Sequence, residues 1–103
     1  MIKTTFYIGL NDKDSKQQEI STIDAFKMIS NIFNTMTEGA TIKGGCKGIY
    51  KHDDGTQIIE ETIEAFSFGL TENQTKQIVN VLKQVLNQES ILVIVENVNS
   101  MFL

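Results

Sequence analysis

The order in which two hydrophobic periodicities alternate constrains this chain more than any figure of composition. Strand-like and helix-like segments follow one another as β-α-β-β-α-β. Residues 4–10 are rich in β-branched and aromatic side chains, the signature of a strand. Alternation puts Phe6, Ile8 and Leu10 on one face, and Thr5, Tyr7 and Gly9 on the other. Residues 21–36 carry Ile23, Phe26, Ile29 and Phe33 at helical spacing, widened by Ala25, Met28, Ile32 and Met36. Ser21 followed by Asp24 resembles a capping box, and Gly39 is the expected stop. Residues 40–51 and 57–68 read as two strands around Asp53-Asp54-Gly55, a strong hairpin signal. Thr71 and Gln74 cap a helix over 71–87, with Ile78, Val79, Leu82, Val85 and Leu86 on one face. Residues 91–95 form the last strand, followed by a tail ending Met101-Phe102-Leu103.

That order is the ferredoxin-like split β-α-β of the α+β class. Right-handed crossovers put both helices on one face of an antiparallel sheet of order 4-1-3-2. A length of 103 residues is that of one domain spanning 1–103. A two-residue turn at Asp54-Gly55 would pair Tyr50 with Ile59, Cys46 with Ile63 and Gly44 with Ala65. In that register Ile42, Gly44, Cys46, Gly48, Tyr50 and Glu61 face the helices. Lys43, Lys47, Ile49, Lys51, Glu60 and Glu64 face outward. The outward face is not uniformly polar, because Tyr7, Phe66, Phe68 and one row of the last strand share it. Strands apolar on both sides are normally covered on both. The expected cover is either the tail, through Met101 and Phe102, or a second copy. A homodimer through the open sheet face is the favoured form.

Composition removes several functions. The net charge of −4 and pI near 4.8 oppose broad binding to a nucleic-acid backbone. All nine basic residues are lysine, so no guanidinium fork is available for phosphate or carboxylate. The apolar run at 91–95 is far shorter than the ~20 residues of a membrane span. With one cysteine there is no internal disulfide, and no export signal opens the chain, so a cytoplasmic location is expected. Fourteen isoleucines, eight asparagines and nine lysines reflect AT-rich coding, as in a low-GC bacterium, its phage or a mobile element.

Two segments carry a resemblance. Gly48-Ile49-Tyr50, with Asp54-Gly55-Thr56-Gln57-Ile58-Ile59 and then Glu61, resembles the Gly-x-Trp … Asp-Gly-x-x-x-x-Glu hairpin of a family of small uncharacterised bacterial proteins. Gln88-Glu89-Ser90-Ile91-Leu92 resembles that family's Gln-Glu-Ser-x-Leu segment. Tyr50 stands where the family tends to have Trp. The resemblance implies an α+β fold and no particular activity.

The candidate sites follow from residue chemistry. Cys46 and His52 share a strand about 20 Å apart, too far to act as nucleophile and base in one subunit. A buried thiol and an exposed turn histidine are the simple readings. His52, Asp53 and Asp54 offer ligand types for a metal, but Asp-Asp-Gly is already explained as a turn. Lys43, Gly44, Gly45 and Lys47 form a lysine-flanked glycine strand, able to cradle a small anionic ligand or simply to protect an edge. Tyr50 and Glu61 complete the candidate ligand-binding set; Tyr7, Phe66, Phe68, Met101 and Phe102 form the candidate interface. The polar loop at 11–19 is the longest connection and reads either as a solvated turn or as a functional loop. No cofactor, resident metal or catalytic residue is expected. The leading function is a small non-enzymatic binding or interaction protein with a protein partner or small ligand. One rival is a phage-type anti-defence protein. It would block a nuclease with Asp12, Asp14, Asp53, Asp54, Glu60 and Glu64, or sequester a nucleotide signal. The other is a dimeric monooxygenase-type enzyme using Tyr7, Tyr50, His52 and Glu61.

Overall fold

The structure, a computed structural model, describes residues 1–103. The elements are β1 (Ile2–Gly9), α1 (Thr22–Met36), β2 (Thr41–Lys51), β3 (Gln57–Phe68), α2 (Glu72–Val85) and β4 (Leu92–Asn97). They form one sheet of order β2-β3-β1-β4 with every neighbouring pair antiparallel. This is the ferredoxin-like order expected from the sequence, with β1 and β3 central.

Local chemistry sets the helix ends. Ser21 Oγ accepts the Asp24 N–H at 3.2 Å and starts α1. Its far end comes at Thr37, ahead of Gly39, because the Thr37 N–H and hydroxyl both donate to the Phe33 carbonyl. Around α2 the capping box is complete: the Gln74 N–H donates to Thr71 Oγ1 at 3.1 Å and the Thr71 N–H to Gln74 Oε1 at 2.8 Å. Just past that helix, Asn87 takes a left-handed conformation at φ 48°.

The core lies between the helices and the central strands. Phe6 and Ile8 of β1, with Ile63 and Ala65 of β3, meet Ala25, Ile29, Phe33, Ile78 and Leu82. Phe6 and Phe33 pack edge to face at 5.1 Å. The buried line of α1 is Ala25-Ile29-Phe33, one step from the line expected through Ile23 and Phe26, and Ile23 stays 70% exposed. The fully buried Ala25 offers a small contact surface that lets the helix backbone approach the sheet.

The β2–β3 pairing departs from the expected register in two places. The tip is a three-residue loop, Asp53-Asp54-Gly55, closed by the His52 N–H donating to the Thr56 carbonyl at 2.9 Å. Gly55 sits at φ 87°, as the third position of such loops requires. Tyr50 therefore opposes Ile58, and Cys46 opposes Thr62. A bulge at Gly44-Gly45 then shifts the pairing by one more residue, so that Lys43 opposes Glu64 and Ile42 opposes Ala65. Gly45 supplies the positive φ of 79° that the bulge needs. The result exchanges the faces of the outer half of β2. Cys46, Gly48 and Tyr50 are on the open face, and Lys47, Ile49 and Lys51 are on the helix side. Ile42 and Lys43 keep their expected sides.

Of the two covers expected for the open face, the tail is not one within the chain. Met101 is 73% exposed, and Phe102 and Leu103 are wholly exposed. No helix is long and apolar enough to cross a membrane.

Candidate functional site: a cleft on the open sheet face

Strand register makes the open face a set of rows. From one end they run Glu96-Lys3-Phe68, then Ile94-Thr5-Phe66-Thr41, then Leu92-Tyr7-Glu64-Lys43. Beyond them come Gly9-Thr62-Cys46, Glu60-Gly48 and Ile58-Tyr50. The first two rows are an apolar end. The later rows, beginning at Tyr7, line a cleft of about 630 Å³. Its second wall is the loop after β1, through Asn11, Asp12, Lys13 and Lys16, with Gln88 and Glu89 behind it.

Two glycines shape the floor. The Glu60 carboxylate occupies the space where a Cβ on Gly9 would stand. A Cβ on Gly48 would come within 2.8 Å of Thr62 Oγ1. Glycine at both positions lets polar groups lie close against the backbone. Glu60 Oε2 accepts the Asn11 N–H at 2.9 Å. No lysine stands within ion-pair distance of Glu60, whereas Glu64 pairs with Lys43 at 3.5 Å and Glu61 pairs with Lys47. Asp12 and Glu89 line the cleft without an ion pair too, but Glu60 is the carboxylate that lies on the strand floor, against Gly9 and held by the Asn11 N–H.

Two phenols bracket it along the sheet. The Tyr7 hydroxyl donates to Glu64 Oε1 at 2.9 Å. That hydrogen bond, joined by burial and the Glu64 charge, raises the Tyr7 phenol above its ordinary 10.0. Burial first, and then the neighbouring Glu60, raises Tyr50 likewise. Both phenols stay protonated well past neutral pH and act as hydrogen-bond donors. Tyr50 also meets His52 edge to face at 6.1 Å.

The loop wall is built rather than loose. Asp12 Oδ1 accepts the N–H groups of Asp14 and Ser15 at 2.8 and 3.0 Å. The Asn87 amide donates to Asp12 Oδ2 at 2.8 Å and to Asp14 Oδ2 at 2.9 Å. The Asn87 bond leads the backbone bonds in holding the Asp12 carboxyl below its usual range. The loop at 11–19 therefore holds a hydrogen-bonded shape, and Asn11, Asp12, Lys13 and Lys16 of it wall the cleft.

The structure gathers some sequence candidates and separates others. Tyr7 and Tyr50 meet in the cleft, with Cys46 half-buried in its wall and not deep in the core. Cys46 and His52 share this face, as their spacing implied. Lys43 and Lys47 were expected on one face but stand on opposite ones, each on a carboxylate, because the bulge falls between them. Gly44 and Gly45 form that bulge, outside the cleft lining. Glu61 faces the helix side as expected, and its partner is Lys47. Phe66 and Phe68 stack edge to face at 5.9 Å on the apolar end, with Lys3 Nζ 4.4 Å above the Phe66 ring. At the hairpin tip, Asp54 accepts the Thr56 N–H at 2.9 Å, and that bond lowers its carboxyl. No three His, Cys, Asp or Glu converge as metal ligands.

Sequence reasoning named Glu60 only as one of several outward-facing carboxylates, a face it keeps, and did not single out Gly9. One signal for Glu60 was available. The four residues Thr56 to Ile59 that follow Asp54-Gly55 lead directly to Glu60, not to Glu61.

No protein-family model and no curated protein sequence matches the chain. Solved structures do. A phage SAM lyase in complex with S-methyl-5'-thioadenosine superposes with a TM-score of 0.62 at 19% identity, over 92% of this chain and 79% of that one. CutA1 from Pyrococcus horikoshii gives 0.60 at 12% identity over 99% and 87%. CutA1 from Oryza sativa gives 0.59 at 14% over 99% and 84%. At such identities the likeness shows the fold: a small α+β protein of ferredoxin-like topology.

Proposed function

We propose that the open-face cleft binds S-adenosylmethionine and that the protein acts on it as a phage-type lyase. The observation that carries this is Glu60: an unpaired carboxylate held by the Asn11 N–H, between two protonated phenols, in a cleft of nucleoside size. The likeness to a phage SAM lyase, whose complex holds S-methyl-5'-thioadenosine, supports the choice of ligand. The AT-rich composition fits a low-GC bacterium, its phage or a mobile element.

The chemistry asks little of the protein. The substrate's own carboxylate oxygen bonds to its γ-carbon as the bond from that carbon to sulfur breaks. The electron pair goes to sulfur. The products are S-methyl-5'-thioadenosine and homoserine lactone, and the carboxylate and sulfonium charges cancel without proton transfer. The protein's task is to hold the substrate folded, the main source of rate in such reactions. Glu60 takes the α-ammonium, whose charge persists through the step. A carboxylate set against the sulfonium would favour the ground state, because that charge is consumed. The two tyrosines present polarised rings and hydroxyls to the rest of the ligand.

Calorimetry with S-adenosylmethionine, and mass spectrometry of the incubated mixture, test this directly. Binding that falls at least tenfold in Glu60→Gln, with S-methyl-5'-thioadenosine appearing, supports it. Absence of binding at millimolar ligand overturns it. Binding without conversion overturns the lyase step and leaves sequestration.

A second copy covers the apolar end of the same face. Phe68 and Ile94 lie open there beside the half-buried Phe66, and the tail leaves them uncovered. Lys3 and Glu96 are cross-strand neighbours at its border, so a two-fold axis running between them would set each against its opposite in the other copy. Light scattering reads the mass: a monomer at tens of micromolar would refute this cover.

A further inference from the structure

We propose that Gln88 is a positioning residue that sets Glu60 through the backbone of Asn11. The proposal rests on the reading of Glu60 as the ligand's ammonium contact.

Gln88 lies in the segment after α2 that the sequence had singled out without a role. Its side chain is only 7% exposed. A buried primary amide is costly unless its donors are used. Here Nε2 donates to the Asn11 carbonyl at 2.7 Å and reaches the Leu86 carbonyl at 3.4 Å. Asn11 is the residue whose N–H holds Glu60 Oε2 at 2.9 Å. One residue earlier, the Leu10 N–H donates to the Glu61 carbonyl at 3.0 Å, which ties the chain to β3. Past that point β1 has ended, and the loop holds itself through an isolated bridge between Asn11 and Gln18, with the Asp12 N–H on the Gln17 carbonyl at 2.8 Å, which leaves the Asn11 carbonyl to Gln88. Gln88 supplies the constraint from the carbonyl side of Asn11, and Glu60 receives the N–H that the constraint aims.

The neighbouring residue acts on the same loop. The Lys13 N–H donates to the Asn87 carbonyl at 3.0 Å, while the Asn87 amide holds Asp12 and Asp14. Asn87 adopts its positive φ at the bend where both side chains turn toward the loop. The end of α2 thus clamps positions 11 to 14 together, and only the Gln88 contact bears on the carboxylate.

The test uses Gln88→Met, which keeps length and packing but removes the donor, with Gln88→Ala and Glu60→Gln beside it. Two readouts are taken. One is the Asn11 amide proton by NMR, whose hydrogen bond to a carboxylate shifts it downfield and makes it follow the Glu60 titration. The other is affinity for S-adenosylmethionine. Gln88→Met should move the Asn11 amide upfield, weaken its pH inflection and lower affinity roughly tenfold, the scale of one lost hydrogen bond. If the Asn11 signal and its inflection are unchanged in both Gln88 variants, the proposal is overturned, whatever happens to melting temperature. If instead Glu60→Gln binds as tightly as the parent, the ligand reading fails while the NMR result still judges the relay.

Discussion

Glu60 stands in the room that Gly9 leaves by having no side chain. A strand glycine is ordinarily a weak point, since it adds backbone entropy and packs nothing. Here it is the condition for a carboxylate to lie against β1 within reach of the Asn11 N–H. Gly9 is not among the residues with positive φ, so alanine meets no conformational barrier there.

That separation of sterics from conformation gives a first prediction. Gly9→Ala should expel the Glu60 carboxylate and weaken S-adenosylmethionine binding about as much as Glu60→Gln does. Stability should change by no more than ~1 kcal/mol, the range for Gly and Ala exchange in an element interior. Calorimetric titration beside urea unfolding measures both, and unchanged affinity would refute the seat.

The bulge predicts the opposite pattern. Gly45 holds φ 79° with nothing near the place of a Cβ, so conformation and not space is the constraint. Gly45→Val should cost roughly 1–2 kcal/mol from the left-handed penalty. A denaturation midpoint equal to the parent's would show that the bulge relocates at no cost.

Acid should loosen the loop wall. The Asp12 carboxyl is held below its ordinary 3.8, so its contribution to stability is fully present above that value. It is lost as pH falls through the lowered folded value, because the unfolded chain takes up the proton more readily. Asn87→Ala removes the largest cause of the shift. Melting curves from pH 7 down to about 2 should show a shallower acid slope in that variant. Equal slopes would mean that Asn87 does not hold the carboxylate.

The core prediction concerns packing alone. Phe33 is 1% exposed and meets Phe6 edge to face. Phe33→Ala should destabilise by ~3–5 kcal/mol, the range for emptying a buried aromatic site. In a domain this small that is a large share of all stability. Chemical unfolding reads it, and a loss under ~1 kcal/mol would show that the helices close over the gap.

Much of this was legible in the residues, for identifiable reasons. Periodicity placed all six elements, and the boundaries 57 and 68 of β3 came out as read. Thr71 with Gln74 and Ser21 with Asp24 marked the helix starts, because capping is chemistry local to four residues. The faces of β2 were not legible. They depend on pairing between residues distant in sequence, and two loop geometries compete at the tip. Fixed by Ile42 against Ala65, the body sets one register; Asp54-Gly55 as a two-residue turn would demand another, two positions away. The three-residue loop needs the bulge to absorb only one. The site inherited that ambiguity, which is why Tyr50 was assigned to the core; Glu60 keeps its expected outward face, and what the sequence did not show is the Asn11 N–H that holds it from 49 positions away. Gln88 was visible as part of a motif, but its partner is 77 positions away in the chain.

The turn and the bulge together act as a reading frame written in space. In the frame observed, the arm shows the cleft a thiol, a bare backbone and a phenol at Cys46, Gly48 and Tyr50. Slipped by one position, the same residues in the same order would show it Lys47, Ile49 and Lys51, turning a wall suited to a cation into one suited to an anion. What the arm presents to the cleft is therefore stored partly in loop geometry. A change at Asp53-Asp54-Gly55, outside the cleft lining, is a route by which a descendant of this chain would alter that wall.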